Sequence, residues 1–188
     1  MVLTHQRKYF IATFLIFLTS VGGIYWWHKT TSCTNHIYSY EPDKDRAFIL
    51  DLFQKDLYWL VSEYVTDFSA EYMLDNRASS RNPADRGNLL MYVYRDSQPR
   101  GFVAYFKKKG YLPLYQLLFL VVPEEFRQKG YGKCLLKFAL EDLKKKGCLR
   151  VELTTRVSNY PAQKTYLRLG FHETSRDEEF VHFEKDLF

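Results

Sequence analysis

One stretch of the chain, Val122-Pro123-Glu124-Glu125-Phe126-Arg127-Gln128-Lys129-Gly130-Tyr131-Gly132-Lys133, has residue types and spacing suited to holding an anion. Glycines at the mouth of a helix let the backbone turn tightly and aim several N–H groups in one direction. Together with the positive helix end they form a site for a pyrophosphate, and Arg127, Lys129 and Lys133 add charge. The stretch is not a P-loop, because the glycine spacing differs and Lys133 is followed by Cys134. A second stretch, Asn159-x-x-Ala162-x-x-x-Tyr166-x-x-x-Gly170-Phe171, begins 27 residues after Gly132. Elsewhere the chemistry is sparse. His172-Glu173 has no second histidine to complete a zinc motif and no His/Cys cluster has ligand spacing, so no metal is expected. Cys33, Cys134 and Cys148 lack a CxxC spacing and read as reduced thiols packed as small hydrophobes, which favours a reducing compartment. Nothing marks Cys134 or Cys148 as a nucleophile.

The elements that must position these stretches follow from hydrophobic period and punctuation. His36 to Glu41 reads as a short strand ended by Pro42, and Asp43 can cap a helix starting near Lys44. Phe48, Leu52, Leu57 and Leu60 recur at helical spacing, giving one or two helices over 44–75, and 75–88 is a polar loop with Pro83 and Gly87. Strands are predicted at 89–95 and 101–107, joined by Asp96-Ser97-Gln98-Pro99. The continuous apolar run 112–122 suits a central strand buried on both faces. After Gly132 an amphipathic helix carries Leu135, Leu136, Ala139, Leu140 and Leu143 on one stripe and ends at Gly147. Residues 149–155 alternate as a strand. Pro161 opens another helix that Gly170 closes, and 171–174 and 179–185 finish the fold as two short strands. The predicted order is β-α-α-β-β-β-α-β-α-β-β.

With both stretches placed, Arg127-x-x-Gly130-x-Gly132 resembles the R/Q-x-x-G-x-G/A signature of the GNAT superfamily of N-acetyltransferases. The Asn159 to Phe171 stretch resembles that family's second block, and the element order matches from about His36 onward. The resemblance implies a mixed α/β (α+β) acyl-CoA N-acyltransferase fold that transfers an acetyl group from acetyl-CoA to an amine by direct attack in a ternary complex. It implies that Arg127, Gln128, Lys129, Gly130, Tyr131, Gly132 and Lys133 cradle the CoA pyrophosphate. Leu120, Val121 and Val122 would offer backbone groups to the pantetheine arm, between strands 112–122 and 149–155 that splay apart. Asn159 would bond that arm, and Tyr166 would protonate the departing thiolate. Ala162, Tyr166 and Leu169 share one helix face, so a core aromatic is the other reading of Tyr166.

The transfer needs a free amine, although a lysine-like amine has a pKa of about 10.4. The family often places a glutamate base on the strand before the loop, and here Gln116 stands about there. Glu124, Glu125, Glu63 or a water chain are the substitutes, and none is singled out by sequence. A non-catalytic acyl-CoA-binding module, or a membrane-tethered interaction module on the same fold, is the alternative function. Acceptor identity is not encoded legibly. Tyr58, Trp59, Tyr64, Phe68 and Tyr72 with Arg176-Asp177-Glu178-Glu179 would suit a cationic amine, and core packing explains the aromatics as well.

The bulk numbers bound these readings. The length fits one domain with an extension, and 46% apolar and 18% aromatic residues exclude general disorder. A net charge of +5 suits an anionic ligand and equally nucleic acid or an anionic membrane face, and composition alone does not choose between them. The lysines of 107–109 and 144–146 fall at element ends as solvated tips, so nucleic acid is not expected as a partner. Ahead of the domain (36–188) lie a basic flank (1–8), an uncharged apolar run (9–27) and a linker (28–35). The run reaches the length of about 20 residues that crosses a bilayer, with Tyr25, Trp26 and Trp27 at its end. The expectation is an apolar N-terminal helix anchoring the protein in the lipid bilayer, with the catalytic domain on the cytoplasmic side where acetyl-CoA is found. Export after signal cleavage is the competing reading.

Overall fold

A computed structural model describes residues 33–61, 68–78 and 88–188. The apolar run 9–27, and with it the expected N-terminal helix, lies outside the described residues, as do Glu63 and Tyr64. Among the described residues no helix is long and apolar enough to cross a membrane. The chain divides into two units, 1–36 and 37–188. Of the first, a 3-10 turn at Thr34–His36 is described.

The second unit is a seven-stranded sheet with helices on both faces. Its strands are β1 (Ile37–Ser39), β2 (Leu90–Arg95), β3 (Pro99–Lys107), β4 (Leu114–Val121), β5 (Arg150–Arg156), β6 (His172–Arg176) and β7 (Phe180–Asp186), in the spatial order β1-β2-β3-β4-β5-β7-β6. The helices are α1 (Pro42–Leu60), α2 (Ala70–Asn76), α3 (Tyr131–Lys145) and α4 (Tyr160–Arg168). Element types and order match the sequence reading, and most boundaries move by one or two residues. The N-terminus of α1 differs in its cap. Glu41, not Asp43, is the N-cap, because Pro42 fits the first turn and the Asp45 carboxylate reaches back to accept from the Glu41 N–H at 2.8 Å.

The two faces have separate cores. Ile49, Leu52 and Phe53 of α1 and Met73 and Leu74 of α2 pack on Met91, Val93, Phe102, Ala104, Phe119 and Val121. On the other face the α3 stripe Leu135, Leu136, Ala139 and Leu143 is wholly buried, each leucine contributing about 1.5–3 kcal/mol of burial. Tyr105 donates a hydrogen bond to Asp142 of α3 at 2.5 Å, fixing the helix against β3.

The sheet feature that matters for function is at its centre. β4 and β5 run parallel and pair only from Leu114↔Arg150 to Leu117↔Leu153. At that point the β3–β4 register shifts, Ala104 pairing with Phe119 and Tyr105 with Leu117, so that Leu118 is an extra residue on β4. Such a bulge bends its strand. Beyond it β4 stays with β3 up to Phe102↔Val121, while β5 stays with β7 up to Arg156↔Phe180. The two central strands therefore form a fork.

The cysteine reading is corrected. Cys33 and Cys134 are each disulfide-bonded, and Cys148 is a free, buried thiol. A disulfide needs no CxxC spacing. The cysteines therefore do not support a reducing compartment.

Candidate functional site

The fork opens into a cleft of about 730 Å³, within the range of small-molecule sites. One arm supplies Leu120, Val121 and Val122, and the loop to α3 supplies Phe126, Arg127 and Gln128. The α3 start adds Gly130 to Lys133, and α4 adds Asn159, Ala162, Thr165 and Tyr166. Thus the two sequence stretches, separated along the chain, face one space.

The loop owes its shape to two residues in the left-handed region, Gln128 at φ 63° and Gly130 at φ 91°. Gly130 is the N-cap of α3 and has no side chain to satisfy the first-turn N–H groups. Those donors lack i−4 carbonyls by construction and remain available to an anion. Gly132 is informative in a different way. A Cβ there would meet Val122 Cγ2 at 3.6 Å, an ordinary contact, so packing does not demand a glycine. Its bare backbone leaves room in the cleft, which fits a ligand pressed against the loop.

Not every predicted residue of the loop is placed alike. Arg127 lines the cleft, but its guanidinium is engaged: Nε donates to the Val122 carbonyl at 3.0 Å and Nη2 to Asp56 at 3.1 Å. It ties the loop to α1 at Asp56, where the helix backbone departs from helical geometry (φ −116°, ψ 19°). Lys129 does not line the cleft; its Nζ donates to the Glu125 carbonyl at 2.9 Å and lies over the Phe126 ring. Lys133 does line it, and so does Arg168 of α4, a cation that the sequence reading missed. Its place in the last turn of a helix gave no motif to find it by.

Asn159 caps α4, its Oδ1 accepting from the Ala162 N–H at 3.4 Å, which leaves its amide nitrogen to donate elsewhere. The Tyr166 ring is 6% exposed and packs against Phe171 and Phe183 at 5.9 and 5.8 Å. The ring is core, and the residue also lines the cleft. Burial pushes its pKa up to about 12, so the phenol stays protonated through the physiological range.

The expected bases fare differently. Gln116 is half-buried, paired across the sheet with Phe106 and Glu152 before the bulge. Glu124 and Glu125 are exposed and line a separate, smaller cavity against α1. At the far end of β5 the buried Arg156 donates to the carbonyls of Tyr58 (2.5 Å) and Val61 (3.2 Å) and to Glu179 (2.6 Å). It thereby holds the end of α1 beside the fork. An arginine at a strand end reads as solvated in sequence, and only the surrounding carbonyls show otherwise.

Residues 37–171 match the acetyltransferase (GNAT) family. The chain is 31% identical over 75 residues to the uncharacterized N-acetyltransferase YvbK of Bacillus subtilis (strain 168), a stretch covering 39% of this chain and 48% of that protein. It spans about half the length of that relative. It is 26% identical over 115 residues to the [ribosomal protein bS18]-alanine N-acetyltransferase of Escherichia coli (strain K12), covering 58% of this chain and 78% of that one. Among solved structures, the PaiA N-acetyltransferase of Thermoplasma acidophilum in complex with coenzyme A superposes with a TM-score of 0.58. That likeness has 23% identity and covers 80% of this chain and 97% of that one.

Proposed function

The chain belongs to the acetyltransferase (GNAT) family of N-acetyltransferases, and from that premise we propose that it transfers the acetyl group of acetyl-CoA to an amine by direct attack in a ternary complex. The observation that carries the reading is the meeting of the β4–β5 fork, the uncapped α3 start and Tyr166 in one cleft. The first-turn N–H groups of α3, with Lys133 and Arg168, would hold the CoA phosphates. The arm Leu120–Val122 would offer backbone groups to the pantetheine, with Asn159 donating to one of its carbonyls. The Val122 carbonyl is already taken by Arg127. Arg127 thus serves as a positioning residue. An unpaired strand N–H on the arm would stabilise the tetrahedral oxyanion.

Tyr166 would then serve the leaving thiolate. A phenol at about 12 is a weaker acid than a thiol of about 8.5. Complete proton transfer from the phenol to the thiolate is therefore uphill, and the hydroxyl acts by donating a hydrogen bond to the departing sulfur. Tyr166→Phe is expected to leave the acetyl-CoA Kd within about twofold and to lower kcat by roughly 100-fold. Calorimetry and CoA release on the full-length protein check both. Unchanged kcat would return Tyr166 to the core alone.

The acceptor is proposed as a primary amine, small or borne on a protein. The domain is further proposed to be held at a membrane by residues 9–27 and to face the cytoplasm. That placement rests on the apolar run and on acetyl-CoA being cytoplasmic, and the disulfide-bonded cysteines weigh against it. Protease added to intact cells is expected to spare the domain until the membrane is permeabilised. Digestion in intact cells would place it outside.

A further inference from the structure

The reading above gives the cleft an oxyanion site and an acid, and the one carboxylate among the described residues that line it, Asp56, is bound by Arg127 at 3.1 Å. The opposite face of the fork carries a candidate base. Thr154 is the first residue of β5 beyond the last β4 pairing, Leu117↔Leu153, and so stands at the crotch of the fork. Its Oγ1 lies 3.1 Å from Nδ1 of His182, its cross-strand partner on β7. Nε2 of His182 lies 3.6 Å from Oδ2 of Asp177. The Asp177 carboxylate is fixed by the backbone, Oδ1 accepting from Glu179 N–H at 2.8 Å and Phe180 N–H at 2.6 Å. Those bonds hold its carboxyl below the usual range, and so does His182.

Successive residues of a strand face opposite ways. Tyr166 packs on Phe183, so His182 and Tyr166 lie on opposite faces of the β5–β7 pair with the fork between them. An amine arriving on the His182 side meets a thioester held in the fork, and the sulfur leaves toward Tyr166.

The other charged groups on the His182 face are already matched. Glu152 of β5 is bound by Lys108 at 2.5 Å, Glu184 of β7 by Arg150 at 3.0 Å, and Glu179 by Arg156 at 2.6 Å. His172 lies opposite Glu184 on this face, whereas Glu173 and Arg176 of β6, opposite Phe183 and Val181, lie on the other face and pair with each other at 2.8 Å. A carboxylate held by a cation is a poor proton acceptor. Imidazole is the side chain whose ordinary titration falls nearest neutrality. With Nε2 turned toward Asp177 across 3.6 Å, Nδ1 faces Thr154 and in the Nε2–H tautomer is the acceptor.

We propose that the Thr154–His182 pair, oriented by Asp177, is the general base that deprotonates the acceptor amine. The proposal rests on the acetyltransferase reading above. The Thr154 hydroxyl passes its proton to Nδ1 as it takes one from the substrate ammonium. The free amine nitrogen then bonds to the thioester carbonyl carbon, the C–S bond breaks with Tyr166 donating a hydrogen bond to the departing sulfur, and the second proton, lost by the attacking nitrogen, reaches the thiolate through solvent. The imidazolium, its charge balanced by Asp177, returns its proton to solvent, which it reaches because the side chain is 42% exposed.

The test uses the full-length protein, acetyl-CoA, and two acceptor probes: a hexapeptide beginning with alanine, and spermidine. His182→Gln is expected to keep the acetyl-CoA Kd and melting temperature while lowering kcat/KM at neutral pH by about 100-fold. Its pH profile should lose the acid limb set by the base and climb with the fraction of free amine. Imidazole added to His182→Ala should restore part of the rate, and Thr154→Val should lower kcat/KM by about 10-fold. Transfer by His182→Gln within about threefold of wild type, with an unaltered profile, overturns this proposal alone. Acetyl-CoA binding by the wild type without transfer to either probe overturns the transferase reading and this proposal with it.

Discussion

Gly132→Trp is expected to raise the Kd for acetyl-CoA at least 100-fold, about 2.7 kcal/mol, with a melting temperature within a degree or two of wild type. The two halves of this expectation have separate grounds. Gly132 sits in the first turn of α3, outside the left-handed region, and a Cβ would touch only Val122 Cγ2 at 3.6 Å. The fold can therefore carry a side chain there. A tryptophan, however, must extend over the first-turn N–H groups into the cleft, where the proposed pyrophosphate would lie. Gly132→Ala should change little. Gly130 is a less clean probe, because at φ 91° any side chain adds backbone strain of about 1–2 kcal/mol. Calorimetry on the two Gly132 variants separates the cases. Undiminished binding by Gly132→Trp would mean that the ligand does not approach this turn, and the cradle reading would fail.

How much of this site is legible in sequence depends on which interaction defines a residue. Gly130, Gly132, Asn159 and Tyr166 were found because backbone conformation, capping and helical period leave local marks, and because two spaced motifs occur in one order. The fork was expected from the family resemblance. Its cause, the extra residue Leu118 in β4, has no signature inside a continuous apolar run, where any register satisfies the pattern. Arg127 and Lys129 were read as phosphate ligands from their charge. Charge does not say which carbonyl or carboxylate will capture a flexible cation, and here the Asp56 carboxylate of α1 and the Glu125 carbonyl of the same loop did so. Arg168, Arg156 and the Thr154–His182–Asp177 chain escaped for the same reason: each is defined by partners brought close by strand pairing or helix packing. Gln116, Glu124 and Glu125 stand out by chain proximity to the loop and Glu63 as an acid of the early helices, whereas β7 lies beside β5 only in the folded sheet.

The fork's geometry also rests on a glycine that carries no chemistry. Gly101 of β3 lies beside the end of β4, and a Cβ on it would stand 2.5 Å from the Val121 carbonyl oxygen, 3.1 Å from Val122 Cγ2 and 3.2 Å from Leu135 Cδ1. The first is a backbone atom held by the Phe102↔Val121 pairing, so no side-chain rotation relieves the contact. Gly101→Ala must push the β4 arm away from β3 and α3 together. The expected cost is about 2–4 kcal/mol, near the upper end for overpacking, or a fall in melting temperature of roughly 5–15 °C for a chain of this size. Val121 and Val122 form one arm of the fork, and the Val122 carbonyl anchors Arg127. The same displacement should therefore weaken acetyl-CoA binding in whatever fraction remains folded. Urea unfolding followed by calorimetry on the folded variant distinguishes the two effects. A midpoint equal to wild type would show that the β3 and β4 ends have room to separate. Lost stability with undiminished affinity would instead show that the arm's position is set by the loop rather than by β3.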